Sequence, residues 1–93
     1  MKRLWDVEEL AEFWSLSFKE LALLESKPQQ THLGLCAQLK YFQISGYFPK
    51  AKSEIPKTAL HYLADQLELE DKTLANYDLE GRTGKRHRTE ILQ

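Results

Sequence analysis

The side chains best suited to chemistry in this sequence form a basic segment near its end. Four bases and a histidine occur within residues 82–88: Arg82, Lys85, Arg86, His87 and Arg88. Arginine binds phosphate or guanine through paired hydrogen bonds, and each neutralised phosphate releases counterions from nucleic acid. Gly81 and Gly84 lie beside these bases, which predicts a flexible arm or the start of a basic helix. Because charged runs often serve only solvation, charge alone leaves a DNA-binding arm and a solvated tail as alternatives.

Lysines in the middle of the chain form a second basic group: Lys40, Lys50, Lys52 and Lys57. Lysines on a loop serve solubility more often than binding, so this group ranks below the arginines, and only Lys40 and Lys57 join the candidate DNA contacts. Net charge alternates along the sequence, with −2 over residues 1–30, +3 over 31–60, −5 over 61–81 and +3 over 82–93. This alternation predicts sign-specific partners rather than a globally basic nucleic-acid binder.

The other reactive side chains do not form a recognised catalytic or metal-binding set. His32 and Cys36 lie four residues apart, as two zinc ligands on one helix face would, but structural zinc takes four ligands and no second pair is near. A buried thiol is the preferred interpretation of Cys36, and pairing it with His61 or His87 as nucleophile and base lacks an orienting acid. A nearby acidic group lacks the glycine-containing loop of a calcium site: Glu68, Glu70 and Asp71. We therefore expect no cofactor, no metal and no catalytic residue.

Length and composition predict one small globular domain over residues 1–93. The chain is 42% hydrophobic and 29% charged, as ordinary globular domains are. Cys36 is its only cysteine, so an intrachain disulfide is impossible and a reducing compartment fits best. The sequence has neither an apolar run of about 18 residues nor a secretory signal, and the expected location is the cytoplasm.

The chain is organised around the stretch from Thr31 to Gly46, where apolar residues recur at helical spacing: Leu35, Leu39 and Phe42. The Thr31 hydroxyl can cap the start of a helix, and Gly46 can end it at positive φ. This pattern predicts a central helix over residues 32–44 that is covered on most sides.

Two shorter helices are predicted before the central one. Asp6 is a suitable N-cap for the first, and Ser17 with Glu20 has the capping-box spacing that starts the second. The second helix is expected to end near Ser26, because Pro28 disfavours helical backbone angles at the residue before it.

After Gly46 the pattern predicts a loop to Ile55, followed by up to three more helices. Pro56 suits the first position of a fourth helix, Asp71 can cap a short fifth, and Lys85 can begin a sixth. Apolar residues are scarce in the last segment, which predicts few contacts for it and suggests that the chain is part of a longer protein. No strand pattern competes, so the expected fold is all-α, a small bundle of five to six short helices.

The fourth and fifth helices have the spacing of a helix-turn-helix pair, with residues 63–67 and 72–77 separated by a short turn. In such motifs the second helix presents its N-terminal residues to base edges. Here that end carries Glu70 and Asp71, whose carboxylates repel phosphate. The sequence therefore favours a structural helical hairpin at this place, with more of any DNA contact elsewhere.

Several segments in register resemble the N-terminal domain of Tn-three family transposases. They are Leu33–Phe42 (LGLCAQLKYF), Gly46–Pro49 (GYFP), Ile55–Pro56, Leu63–Leu67 (LADQL), Leu74–Tyr77 (LANY) and the basic segment Arg82–Arg88. The order and spacing of these segments agree with the family over roughly two thirds of the chain. Cys36 stands where the family has phenylalanine, and Tyr47 where it has arginine.

The resemblance implies a non-catalytic, N-terminal, double-stranded-DNA-binding domain of a bacterial transposase. In that family the N-terminal region recognises the transposon's terminal inverted repeats, while a distant RNase-H-like domain cuts and joins DNA. The resemblance also makes DNA contact the favoured interpretation of residues 82–88. An alternative from another class is a protein–protein or inter-domain docking module, which would use the acidic residues 61–81 and the apolar residues 4–24.

Overall fold

The computed structural model describes residues 1–93 as five α-helices and three short 3₁₀ helices, without strands. The α-helices are α1 (Val7–Phe13), α2 (Phe18–Leu23), α3 (His32–Ser45), α4 (Lys57–Leu67) and α5 (Arg82–Leu92). The 3₁₀ helices span Gln29–Thr31, Lys52–Glu54 and Asp71–Asn76. The predicted all-α fold is therefore confirmed. None of these helices combines the length and apolar character that crossing a bilayer requires.

Helix α3 lies at the centre of the fold, with eight of its 14 residues buried and with α4 and α5 packed against it. Gly46 ends it at a φ of 83°, as predicted, because a residue without a Cβ adopts this conformation without strain. The predicted cap at Thr31 is wrong. Its hydroxyl donates to the carbonyl of Pro28 at 2.8 Å, because the chain enters α3 from a 3₁₀ turn and Thr31 already has helical backbone angles.

Both predicted capping residues of the N-terminal helices are confirmed. The Asp6 carboxylate accepts from the backbone N–H of Glu9 at 2.9 Å, and the Ser17 hydroxyl accepts from that of Glu20 at 3.1 Å. In each case the glutamate also accepts from the backbone N–H of the cap. Helix α2 ends at Leu23, earlier than predicted, because the following amides bond three residues back and form turns.

The connection from α3 to α4 is more ordered than a plain loop, because residues 52–54 form a 3₁₀ helix within it. Phe48 stacks on Phe42 with ring centroids 4.6 Å apart, whereas Tyr47 stays exposed. Pro56 precedes α4 with φ −59° and ψ 132°. It therefore occupies the N-cap position, just before the helix, rather than the predicted first helical position.

The predicted helix pair is formed by α4 and the 3₁₀ helix Asp71–Asn76. The second member is thus a 3₁₀ helix, and Asp71 is its first residue rather than its cap. The Asp71 carboxylate instead contacts His61 on α4. Between the two elements Glu68 adopts the left-handed conformation, with φ 57°, which turns the chain.

Helix α5 begins at Arg82, three residues before the predicted Lys85, and packs along α3. Gly84 and His87 are buried, and Ile91 packs against the apolar core. The expectation of few contacts for this segment is therefore wrong. Its contact face is made mainly of a glycine and polar side chains, which hydrophobic periodicity does not detect.

Candidate nucleic-acid interface

One face of α5 carries three exposed bases, Arg82, Lys85 and Arg86, which we call the basic stripe. Their positions i, i+3 and i+4 bring them together on the helix surface. None of the three forms an ion pair with a carboxylate of this chain. The structure therefore holds this part of the predicted basic segment in a helix, with its charges directed to solvent.

The other two members of that segment lie outside the basic stripe, His87 on the buried face of α5 and Arg88 at its edge. His87 is fully buried, so this predicted DNA contact is not on the exposed surface of the fold. Arg88 is half-buried, and its Nη1 donates to the carbonyl of Leu79 at 2.8 Å and to Oε1 of Gln38 at 3.1 Å. Residues 82–88 are consequently not a flexible arm.

A buried hydrogen-bond network joins α5 to α3. Nε2 of Gln38 donates to the Tyr77 hydroxyl at 2.9 Å, and that hydroxyl lies 2.6 Å from Nδ1 of His87. Because the Tyr77 oxygen accepts from Gln38, its own proton is available for Nδ1, and we assign the proton of neutral His87 to Nε2 on this basis. That Nε2 has no partner in the chain. The network fixes the rotation of α5 about its axis and so directs the basic stripe outward.

Burial controls the protonation of this network. Burial raises the pKa of Tyr77 to about 12, and it lowers the pKa of His87 below the usual 6.5. Both side chains are therefore neutral near pH 7, as a chain of neutral donors and acceptors requires.

Replacing Tyr77 with phenylalanine is expected to lower the free energy of unfolding by about 1–3 kcal/mol, because Gln38 and His87 lose a partner while buried. Urea unfolding followed by circular dichroism measures this loss. The matched control is Tyr62→Phe, whose hydroxyl lies 3.0 Å from that of Ser15 in a half-buried place and should matter less. Equal losses in the two variants would contradict the importance of the network.

The pKa values of His61 and His87 are expected to shift in opposite directions from the usual 6.5. The exposed His61 lies 3.1 Å from Asp71 and 3.5 Å from Asp65, and its hydrogen bond to Asp71 raises its pKa. In the folded protein, NMR titration of the ring protons should give a midpoint above 6.5 for His61 and below 6.5 for His87. The reverse order would refute both assignments.

These shifts have opposite consequences for stability. As the pH falls through 6.5, the unfolded chain protonates His87 while the folded chain does not, so His87 makes the fold less stable toward acid. His61 binds its proton more tightly in the folded chain, so it makes the fold more stable as the pH falls through its raised pKa toward 6.5. Removing His61 should therefore steepen the loss of stability on acidification.

The second basic group is divided by the fold. Lys40 is buried, and its Nζ pairs with Glu20 at 2.8 Å, so this predicted contact is not on the exposed surface of the fold. Lys57 is exposed at the start of α4 without an ion pair. Lys50 lines the same surface cleft as Arg88, so the structure brings members of the two basic groups together.

The α4 and Asp71–Asn76 pair presents a mainly acidic surface. Four carboxylates of the pair and its connecting turn are exposed: those of Asp65, Glu68, Glu70 and Asp71. Carboxylates at this density repel a phosphate backbone. The charge of this surface is unfavourable for DNA, so α5, whose exposed face is basic, is the better candidate.

Cys36 is buried, as predicted. Burial raises the pKa of its thiol to about 12, which leaves almost no thiolate near pH 7 and makes the side chain a poor nucleophile. His32 contacts the carbonyl of Lys27 through Nε2 at 2.9 Å rather than pairing with Cys36. The structure contains no group of three or more histidine, cysteine or acidic side chains placed to hold a metal ion.

Gln38 is the buried network residue that sequence patterning missed. It is fully buried and contacts Tyr77, Gly84 and Arg88. The one indication in the sequence was an amide in the middle of an otherwise apolar helical run, because buried amides in proteins are hydrogen-bonded.

One family model matches this chain: its description is "Domain of unknown function (DUF4158)", and the match covers residues 1–93. No curated protein and no solved structure matches the chain. The match therefore identifies the family but assigns no activity to it.

Proposed function

This chain belongs to the DUF4158 family, and we propose that it is a non-catalytic, N-terminal DNA-binding domain of a Tn-three-like transposase that helps recognise the terminal inverted repeats. The observation that carries the proposal is the basic stripe on α5, three exposed cations without carboxylate partners. The resemblance of the motifs from Leu33 to Arg88 to that family supports the choice of DNA as the partner.

The shape of α5 suits a groove of DNA. Its 11 residues form about three turns, and the major groove of B-DNA admits an α-helix. The stripe would contact phosphates and base edges, while Lys57 adds a cation on the first turn of α4.

Charge distribution would also set the orientation on the duplex. The basic stripe is attracted to the phosphate backbone, whereas the acidic residues of α4 and the Asp71–Asn76 helix are repelled by it. We therefore place α5 toward the DNA and the acidic pair away from it, free to contact another domain.

The test is fluorescence anisotropy with a labelled terminal inverted repeat and a scrambled duplex of equal length, over a series of salt concentrations. Tighter binding to the repeat supports the proposal. Three phosphate contacts by the stripe would give a slope of log K against log salt of about −2.7. Equal, steeply salt-dependent binding to both duplexes would reduce the role to positioning on the backbone, and no binding to either would refute the proposal.

A second candidate function is inter-domain or protein–protein docking. It is favoured by the large apolar side chains exposed on the N-terminal part, where Phe18, Leu4 and Val7 are 93%, 80% and 78% exposed. Such side chains commonly mark contact surfaces when they cluster. Light scattering without DNA distinguishes the two functions, because a stable dimer favours docking and a monomer that binds the repeat favours DNA recognition.

A further inference from the structure

A cleft of about 400 Å³ lies between the segment after α3 and the α5 region. Its walls combine an aromatic ring, a buried proline, an aliphatic side chain, two cations and one carboxylate: Phe48, Pro49, Leu79, Lys50, Arg88 and Glu80. Lys50 and Arg88 belong to different basic groups of the sequence, and the fold brings them to the same cleft. The cleft is therefore a place where the fold concentrates positive charge.

Arg88 is held rigidly in this cleft. Its Nη1 is occupied by the carbonyl of Leu79 and by Gln38, and no hydrogen bond within the chain uses Nη2 or Nε. No carboxylate of the chain forms an ion pair with it. A half-buried cation that forms no ion pair is costly, and a guanidinium with free N–H groups is well suited to phosphate.

The cleft adjoins the basic stripe. Arg88 follows Lys85 by three residues on α5, so the two side chains are neighbours on the helix surface. Cationic side chains thus continue from the stripe, through Lys85, to Arg88 and Lys50, which line the cleft.

We propose that this cleft is a phosphate-binding subsite that takes one backbone phosphate of the duplex held on the basic stripe. Arg88 is the fixed donor, and Lys50, whose side chain is exposed and without an ion pair, is the mobile second cation. The inference rests on the proposed function. Glu80 faces the same phosphate, and its carboxylate weakens the binding.

The test uses two exposed residues whose side chains make no hydrogen bond in the fold, so the variants should fold normally. Lys50→Ala is expected to weaken binding to the inverted repeat by about three- to tenfold and to reduce the salt slope by up to about 0.9, because one of the two cations on that phosphate is lost. Glu80→Gln is expected to strengthen binding by about two- to fivefold, because it removes a repulsive charge. Lys19→Ala is the control, because Lys19 is an exposed lysine of α2 outside the stripe and the cleft.

Three results would overturn the subsite, and they are distinguishable. If the wild-type protein binds the repeat and both variants keep its affinity and salt slope, the subsite is refuted and the proposed function still stands. If the wild-type protein binds neither duplex, both the subsite and the proposed function are refuted. A third arm titrates inorganic phosphate at constant ionic strength and follows the Arg88 side-chain NMR resonances. Shifts there, combined with duplex binding that Lys50→Ala does not change, would assign the cleft to free phosphate rather than to DNA.

Discussion

Replacing Gly84 with alanine is expected to destabilise the fold by about 3 kcal/mol or more, and to weaken DNA binding with it. Alanine inside a helix normally stabilises it by up to about 1 kcal/mol relative to glycine, so the expected sign is opposite to helix propensity. The reason is contact with the backbone of the turn before α5.

A Cβ at position 84 would lie 1.9 Å from the carbonyl oxygen of Leu79, 2.6 Å from its carbon and 2.8 Å from the carbonyl oxygen of Asp78. Backbone atoms cannot rotate away as a side chain can. The same glycine donates its N–H to Asp78 at 2.9 Å and accepts from Gln38 at 3.2 Å. Relieving the clash therefore requires the first turn of α5 to separate from the Asp78–Leu79 turn, which disturbs the hydrogen bonds that hold α5 to this turn and to Gln38 of α3.

Urea unfolding followed by circular dichroism measures this effect, and Gly46→Ala is the matched control. A Cβ at position 46 would meet no atom within 4 Å, but the backbone there has a φ of +83°. Alanine should therefore cost about 1 kcal/mol at this position, through backbone strain alone. A loss at Gly84 no larger than the loss at Gly46 would contradict the close packing of α5.

The combined variant Arg82→Ala, Lys85→Ala, Arg86→Ala is expected to bind the inverted repeat about 100-fold more weakly at physiological salt, and its salt slope should fall by about 2.7. The three side chains are exposed and make no ion pair, so stability should change little. The loss would thus report on binding rather than on folding.

Anisotropy over a salt series measures this variant beside a Lys19→Ala control, which removes an exposed charge outside α5 that forms no ion pair. The control should keep a nearly unchanged slope. A variant that also replaced Arg88 would be harder to interpret, because Arg88 donates hydrogen bonds to Leu79 and Gln38 within the fold. Wild-type affinity and slope in the triple variant would exclude α5 as the DNA-binding element.

Local sequence was enough to predict the helical elements whose boundaries depend on neighbouring residues. Asp6 and Ser17 cap their helices through side chains bonded three residues away, and Gly46 ends α3 through its own backbone angles. Such features need no tertiary contact. Local patterning was less reliable where a 3₁₀ turn competes with an α-helical one, as at Thr31 and Asp71.

Tertiary packing, in contrast, determines which basic side chains are exposed and so available to a binding partner. Lys40 and His87 look like the other candidates in sequence, but Lys40 pairs with Glu20, and His87 meets Tyr77 inside the fold. Arg88 reaches a partner 50 residues away in the chain, and a lysine from the other basic group joins it at the cleft only because α5 packs along α3. Helical spacing predicts which residues share a face, whereas the packing of distant segments determines which face is exposed.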